Sequence, residues 1–393
     1  MLLQIIKNIY HLFMAMVWRA WYGRPDAHMH VYGITGTNGK TTTSYLLRSV
    51  LAEAYGEDKV GMLTTVAISV GGKTSVNETK MTTLPSRQLF SYLAQMRNHG
   101  VSYVVLETTS HALHQHRLFG VQFDGAIILN VAREHLDYHR TMRRYANAKE
   151  MIVGHLKGGA PLVGKKDDAY VGPMLERAKK AGVRVLSFTA QEAQGVSSSL
   201  PGAVNKENAL AVSLLCGAIG ILEDDVRAGI NLVTSVPGRM EWVEGGGVRV
   251  LIDYAVTPDA LERVYEYAKK ETEHALYGVL GACGLRDRGK RPDMARVVAE
   301  YVDELVLTRE DPWTEDETQI FCDLEEGLAE VELSKWKRII DRKEALAYVI
   351  ARAVPGDVVV VTGKGAETGM AIGHTVVPWN EKEIVQELLN ARK

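Results

Sequence analysis

From residue 29 onward, short apolar runs alternate with longer segments of helical period. The runs HVYGIT (30–35), VSYVVLET (101–108), DGAIILN (124–130), VRVLSF (183–188), VRVLID (248–253), ALYGVLG (275–281), DELVLT (303–308) and DVVVVTG (357–363) have few polar interruptions. Such runs predict strands buried on both faces. Between them, residues 86–98, 203–219, 258–269 and 343–353 place apolar side chains at helical spacing. The alternation predicts an α/β fold in which helices cover both faces of parallel sheets.

Residues 1–28 stand apart as an apolar, aromatic segment. Ile5, Ile6, Ile9, Leu12, Phe13 and Met16 recur at helical spacing, which predicts a helix packed on the body of the protein. Its alternative is an interfacial membrane helix, since its longest uncharged run is about half the roughly 20 residues that span a bilayer. Near VTSVPGRMEWVEGGGVRV (233–250), a helix-rich stretch gives way to Pro237, Gly238 and a hairpin signal at Gly245 to Gly247. A boundary there divides the rest into a nucleotide-type domain, 29–235, and a second α/β domain, 236–393.

Composition narrows the class. With 393 residues, 46% hydrophobic and 24% charged, the chain reads as a soluble globular protein of at least two domains. A net charge of −2 gives no global pull toward nucleic acid or anionic membrane. Cys216, Cys283 and Cys322 are too far apart for a disulfide framework or zinc ribbon and fit a reducing, cytoplasmic compartment.

Unusual polar residues follow the strands directly: Gly36 to Thr42, Glu107, Asn130, Asp253, Gly281 to Arg291, and Gly363 to Glu367. Ligands of open parallel sheets bind at those carboxyl ends. In GITGTNGKTTTSY (33–45), strand, glycine loop and helix start follow in the order of a P-loop, although Ile34 stands where the common pattern has glycine. The backbone of Gly36, Thr37, Asn38 and Gly39 would wrap a phosphate. Lys40 would reach the β and γ phosphates, and the Thr41 hydroxyl would ligate Mg²⁺, with Thr42 beside it. Glu107 in VVLETTSHALHQHR can hold Mg²⁺ or a water, or cap the next helix. His135 and His139 lie one helical turn apart in NVAREHLDYH, but the order is not that of a zinc hydrolase. Lys149 reads from its own segment as a surface lysine. Arg286, Arg288, Lys290 and Arg291 in GLRDRGKRP suit carboxylate or phosphate recognition.

Taken in order, GTNGKTT, MTTLPS, ETTSHALHQHR, NVAREHLDYH, PGRME, DYAVTPDAL, GLRDRGKRPDM and GKGAE resemble the Mur ligase family, most closely its MurE-type UDP-N-acetylmuramoyl-tripeptide synthetases. The resemblance runs from about residue 29 to 393. It implies a P-loop ATPase domain with a parallel sheet, followed by a Rossmann-like C-terminal domain. It also implies ATP-dependent amide-bond formation on a muramoyl peptide through an acyl phosphate, with ATP and Mg²⁺ required.

Carried over by position, Lys40, Glu107, His135 and Lys149 would be catalytic. Thr41, Glu107, His135 and a carbamylated Lys149 would hold metal. Thr82, Thr83, Thr109, Gln115 and Arg117 would bind the muramoyl-peptide substrate. Asn205, Asn208, Arg239 and Asp253 would join Gly36 to Thr42 at the nucleotide, while Arg286, Glu310, Asp311, Trp313, Gly363 and Glu367 would receive the amino acid. The expected partners are small molecules, with no nucleic acid, a peripheral membrane contact through the N-terminal helix, and a monomeric chain.

The sequence departs from the family in two places. The family's usual domain for uridine diphosphate is replaced by 28 residues, so a lipid-linked, shorter or different carrier is an alternative. The family's Asp-Asn-Pro-Arg is Glu310-Asp311-Pro312-Trp313 here, which disfavours meso-diaminopimelate and favours a cationic acceptor such as lysine. Val256, Leu285 and Ala366 also replace family residues, and a nucleotide-binding homologue that no longer ligates is the reading from another class.

Overall fold

The computed structural model describes residues 2–392. The chain forms two compact units, one of residues up to 131 with 141–234, the other of 132–140 with 235 onward. The stretch 132–140, which the sequence placed inside the 29–235 segment, thus packs with the C-terminal unit.

The first unit opens with helix α1 (Leu2–Trp21). Its sheet contains β1 (His30–Thr35), β2 (Val60–Leu63), β3 (Ala67–Val70), β4 (Lys73–Val76), β5 (Tyr103–Glu107), β6 (Gly125–Ile128), β7 (Pro161–Lys165) and β8 (Arg184–Phe188), in the spatial order 4-3-2-5-1-6-7-8. Strands β2, β5, β1, β6, β7 and β8 are parallel, while β3 and β4 close one edge antiparallel. The helices are α2 (Lys40–Tyr55), α3 (Ser86–Asn98) and α4 (Ser110–His114), and after α5 (Leu136–His139) of the other unit, α6 (Met142–Glu150), α7 (Val171–Lys180), α8 (Ala190–Ala193), α9 (Ala203–Ala218) and α10 (Glu223–Leu232). The core takes Val31 from β1, Val104 and Leu106 from β5, and Ala126 and Ile128 from β6, all essentially buried.

In the second unit the strands are β9 (Glu241–Gly245), β10 (Val248–Asp253), β11 (Leu276–Leu280), β12 (Glu304–Leu307), β13 (Trp336–Arg338) and β14 (Val358–Thr362), ordered 13-12-11-14-10-9. All neighbours are parallel except β9, which forms the antiparallel hairpin with β10 that the glycines at 245–247 predict. Helices α11 (Pro258–Lys270), α12 (Arg291–Ala299), α13 (Glu317–Glu326), α14 (Arg342–Arg352) and α15 (Glu381–Asn390) accompany the sheet, and β15 (Gly369–Ile372) pairs with β16 (Thr375–Pro378) separately. Arg342, wholly buried, pairs with the equally buried Glu381 and donates to the Thr362 carbonyl at 2.8 Å, fastening the end of β14.

The N-terminal helix contradicts its own spacing. Ile5, Ile6, Ile9, Phe13 and Met16, which the pattern assigned to packing, are 48–61% exposed. The helix is held instead by Ala15, Trp18 and Tyr22, which pack on the core cluster, by the Asn8 amide donating to the His114 carbonyl at 3.0 Å, and by the Arg19–Asp26 pair. These contacts lie on the opposite side of the helix.

Candidate active site

Strand β1 lies between β5 and β6, so the chain order reverses at its carboxyl end, the crevice where open sheets bind ligands. Residues 36–39 form a loop there and α2 starts at Lys40. Gly39 has φ +84°, and a Cβ on it would lie 2.6 Å from the Asn208 Oδ1. Both the left-handed backbone and the close approach require glycine. Asn130, two residues beyond β6, splints the loop. Its Oδ1 accepts from the Thr37 and Asn38 amides at 3.1 and 2.9 Å, and its Nδ2 donates to the Asn38 carbonyl at 3.1 Å.

Lys40 Nζ donates to the Thr37 carbonyl at 2.9 Å. Thr41 and Thr42, both buried, stand in the first turn of α2. The Thr41 hydroxyl donates to Glu107 Oε2 at 2.9 Å, with Glu107 closing β5 beside Ile34. Thr65 supplies the same carboxylate with its amide at 2.9 Å and its hydroxyl at 3.1 Å. Glu107 therefore serves the phosphate loop and not a helix cap.

The threonine segment runs next to it. The Thr65 and Thr82 hydroxyls share a hydrogen bond at 2.9 Å, and Thr83 donates to the Glu107 carbonyl at 2.9 Å. Thr109, which caps α4, donates its amide to the Thr83 hydroxyl at 2.9 Å. Arg117 grips Gln115 Oε1 through Nε at 2.8 Å and donates to the Thr83 carbonyl at 3.1 Å. The five residues expected at the muramoyl-peptide substrate, Thr82, Thr83, Thr109, Gln115 and Arg117, form one hydrogen-bonded strip.

Lys149 is 2% exposed, which corrects the surface-lysine reading of its segment. Its Nζ donates to the Gly36 carbonyl at 2.7 Å and lies 4.5 Å from the Tyr145 ring centre, whose hydroxyl meets the Thr37 hydroxyl at 3.1 Å. On α9, the Asn208 amide donates to Asn205 Oδ1 at 3.1 Å. His135 belongs to the other unit, where it caps α5 at φ +56°. Among the described residues no group of three His, Cys, Asp or Glu side chains is arranged to hold a metal.

In the second unit, Arg239 stacks over Tyr254 at 4.4 Å and Asp253 Oδ2 accepts from the Met240 amide at 2.7 Å. Burial pushes the Asp253 carboxyl up, against the opposing pull of Arg239. The basic cluster is largely consumed internally. Arg288 pairs with Asp323, Lys290 with the buried Glu134, and the fully buried Arg291 with Glu315 and Asp323. Arg286 stays exposed on the turn, so the cluster offers one arginine where the sequence suggested four basic groups.

The expected acceptor acids are also partly committed. Lys364 Nζ donates to Asp311 Oδ1 at 2.8 Å and to Glu367, and Asp311 also accepts from the Ala371 amide at 2.8 Å. Burial pulls the Lys364 ammonium down, yet Glu367 and Asp311 hold it above its ordinary value. Sequence reading passed over Lys364, which already pairs with Asp311, one of the two acids that a cationic acceptor would seek. Glu310 differs: one of its oxygens is buried without a hydrogen-bond partner among the described residues, and burial pushes its carboxyl up to about 7. Gly363, at φ +105°, leaves room for it, since a Cβ there would lie 3.2 Å from the Glu310 side chain. Trp313, half-buried at φ +52°, docks its backbone on the Ala371 carbonyl at 3.1 Å and the Gly373 amide at 2.7 Å.

The Mur ligase middle-domain family matches residues 34–195 and the Mur ligase glutamate ligase domain family matches 238–365. The UDP-N-acetylmuramoyl-L-alanyl-D-glutamate--2,6-diaminopimelate ligase of Geobacillus kaustophilus is 35% identical over 96% of this chain and 82% of its own length. This chain belongs to the Mur ligase family. A protein of the same name from Caldanaerobacter subterraneus is also 35% identical, over 96% of this chain and 81% of its own length. A solved structure of a ligase of that name has a TM-score of 0.60 at 30% identity, covering 93% of this Mur ligase and 79% of that chain. The folylpolyglutamate synthase of Mycobacterium tuberculosis complexed with ADP superposes at 0.70 over 90% of this chain and 91% of that one, at 17% identity, which speaks for the fold alone.

Proposed function

We propose that this Mur ligase joins an amino acid to a muramoyl-peptide carboxylate at the expense of ATP. The observation that carries the reading is the buried Thr41–Glu107 contact at the mouth of a loop shaped for phosphate. The loop amides and the N-terminus of α2 would seat the phosphates, with Lys40 swinging from the Thr37 carbonyl to the γ-phosphate. Two buried oxygen ligands, the Thr41 hydroxyl and the Glu107 carboxylate, suit a hard cation. Mg²⁺ held by Thr41 and Glu107, with His135 and a carbamylated Lys149 as the further ligands, would supply charge neutralisation between nucleotide and substrate anions.

The substrate carboxylate, held along the strip from Thr82 to Arg117, attacks the γ-phosphorus. ADP leaves and a mixed carboxylic–phosphoric anhydride forms. The acceptor's neutral amine then attacks the acyl carbon, a proton is lost from nitrogen, and inorganic phosphate departs. Asn205, Asn208, Arg239 and Asp253 would hold the rest of the nucleotide, and Arg286 would face the acceptor's α-carboxylate through a charge-assisted pair. Gly363 and Glu367 would border that acceptor. In this reading residues 29–235 seat the phosphates of ATP, residues 236–393 bind the amino acid and complete the nucleotide site, and the enzyme works as a monomer.

Among the described residues no helix is long and apolar enough to cross a membrane, and the carriers considered are nucleotide-linked or lipid-linked. The test is phosphate release from ATP with a panel of amino acids against UDP-linked and lipid-linked muramoyl dipeptides. Stimulated turnover with one pairing is expected; turnover unaffected by every pairing would sink the ligase reading.

A further inference from the structure

Helix α1 presents a continuous apolar stripe away from the protein. Ile6, Ile9, Phe13, Met16 and Val17 are 37–61% exposed, and each lies three or four residues from another of the set. Twenty helical residues extend the element about 30 Å. Large apolar side chains in such a row are not left to water without a partner, and rows of this length mark interaction surfaces. The opposite side of the helix is occupied by Ala15, Trp18 and Tyr22 against the core, so the stripe has no packing role within the unit.

Charge identifies the occupant. No acidic residue precedes Asp26, while Lys7, Arg19 and Arg24 do, and Asp26 is buried against Arg19. Helix α3, which packs beside α1, carries Arg87 and Arg97 and no acid. Arg87 lies over the Trp18 ring at 5.3 Å. The stripe's own helix and its neighbour α3 thus contribute cations and no acid. A second copy laid on it would face the same cations with no carboxylate to meet them, whereas an anionic lipid surface supplies the complementary charge. Tyr10 and Trp21, 57% and 76% exposed, lie on the same side; both ring types favour the boundary between acyl chains and headgroups.

We propose that α1 lies flat in the headgroup boundary of an anionic membrane, as a peripheral anchor. The inner side of this helix bonds the His114 carbonyl, directly before Gln115 and Arg117, so the anchor would bring that strip close to the lipid surface. The inference is independent of the ligase reading, because membrane partition is measured without turnover.

The test uses the full chain, co-sedimented with phosphatidylcholine vesicles and with vesicles that also contain phosphatidylglycerol. At low salt, partition into the anionic vesicles should exceed that into neutral ones by about tenfold and fall as salt rises. The double variant Ile9→Glu/Phe13→Glu alters only exposed side chains and should lower partition by about tenfold or more, with thermal unfolding and nucleotide binding unchanged. Lys7→Glu with Arg24→Glu should erase the preference for anionic lipid. Brominated acyl chains should quench tryptophan fluorescence, and Trp21→Phe should remove most of that quenching. Equal sedimentation of wild type and the Ile9→Glu/Phe13→Glu variant overturns the proposal. So does a concentration-dependent dimer that this variant dissociates while wild type ignores vesicles.

Discussion

Lys149 Nζ donates to the Gly36 carbonyl at 2.7 Å, which places a buried amine directly under the first turn of the phosphate loop. An amine in that position can react with carbon dioxide and become a carboxylate, turning a loop-bracing cation into a metal ligand. Turnover should fall when the enzyme is stripped of carbon dioxide and return when bicarbonate is restored. Lys149→Arg keeps a cation but cannot form the carbamate, and should lower kcat by about ten- to a hundredfold. A Lys149→Arg enzyme with wild-type kcat would rule the carbamate out.

The Thr41–Glu107 contact predicts a specific defect in metal use. Thr41→Ala deletes one of two buried oxygen ligands and should raise the Mg²⁺ concentration for half-maximal turnover about tenfold, with little change in thermal stability. Glu107→Gln removes the charge as well as a ligand and should be the more damaging. Titrating Mg²⁺ against initial rates separates these effects from lost ATP affinity.

Glu310 predicts a pH-dependent stability. Its folded carboxyl keeps its proton up to about 7, against an ordinary value of 4.5. Between those limits the unfolded chain binds fewer protons than the folded one, so stability must fall as pH rises. This contribution is complete below 4.5 and disappears as pH passes through 7. The slope is at most about 1.4 kcal/mol per pH unit. Denaturant unfolding of wild type and Glu310→Gln across this range should show a difference that shrinks toward acid pH; parallel curves would refute the assignment.

Lys364 sits wholly buried between Asp311 and Glu367. Lys364→Met leaves two carboxylates without their cation and should destabilise by about 3–5 kcal/mol. Adding Asp311→Asn to that variant should recover part of the loss, as a double-mutant cycle would measure. The internal cation also weakens the expectation of a lysine acceptor, because Asp311 of the Glu310–Asp311 pair is already engaged by Lys364.

Most of the inner parallel strands were readable because burial on both faces leaves nearly unbroken apolar runs, as in VRVLID and DVVVVTG. The short strands β4 and β7 were not. β4 is exposed throughout, and β7 opens on Pro161, a residue that argues against a strand unless it stands first. At the site, the phosphate loop and Glu107 were legible because their spacing is local. Lys149 was legible only by family resemblance, since its burial depends on a contact with a loop more than a hundred residues earlier. The GLRDRGKRP cluster misled for the converse reason: the acids that consume Arg288, Lys290 and Arg291 lie at 134, 315 and 323, far from it in sequence. α1 misled too, because its period identified a helix but could not say which side met the protein.

Asn130 touches both sides of the phosphate loop, through amides at Thr37 and Asn38 and through the Asn38 carbonyl. The cradle is thereby shaped when the chain folds, and its conformational entropy is lost then and not when a nucleotide arrives. An Asn130→Ala enzyme would have to stiffen the loop at each encounter, so its deficit would surface as weaker ATP affinity and slower association, and would vanish once the enzyme was saturated.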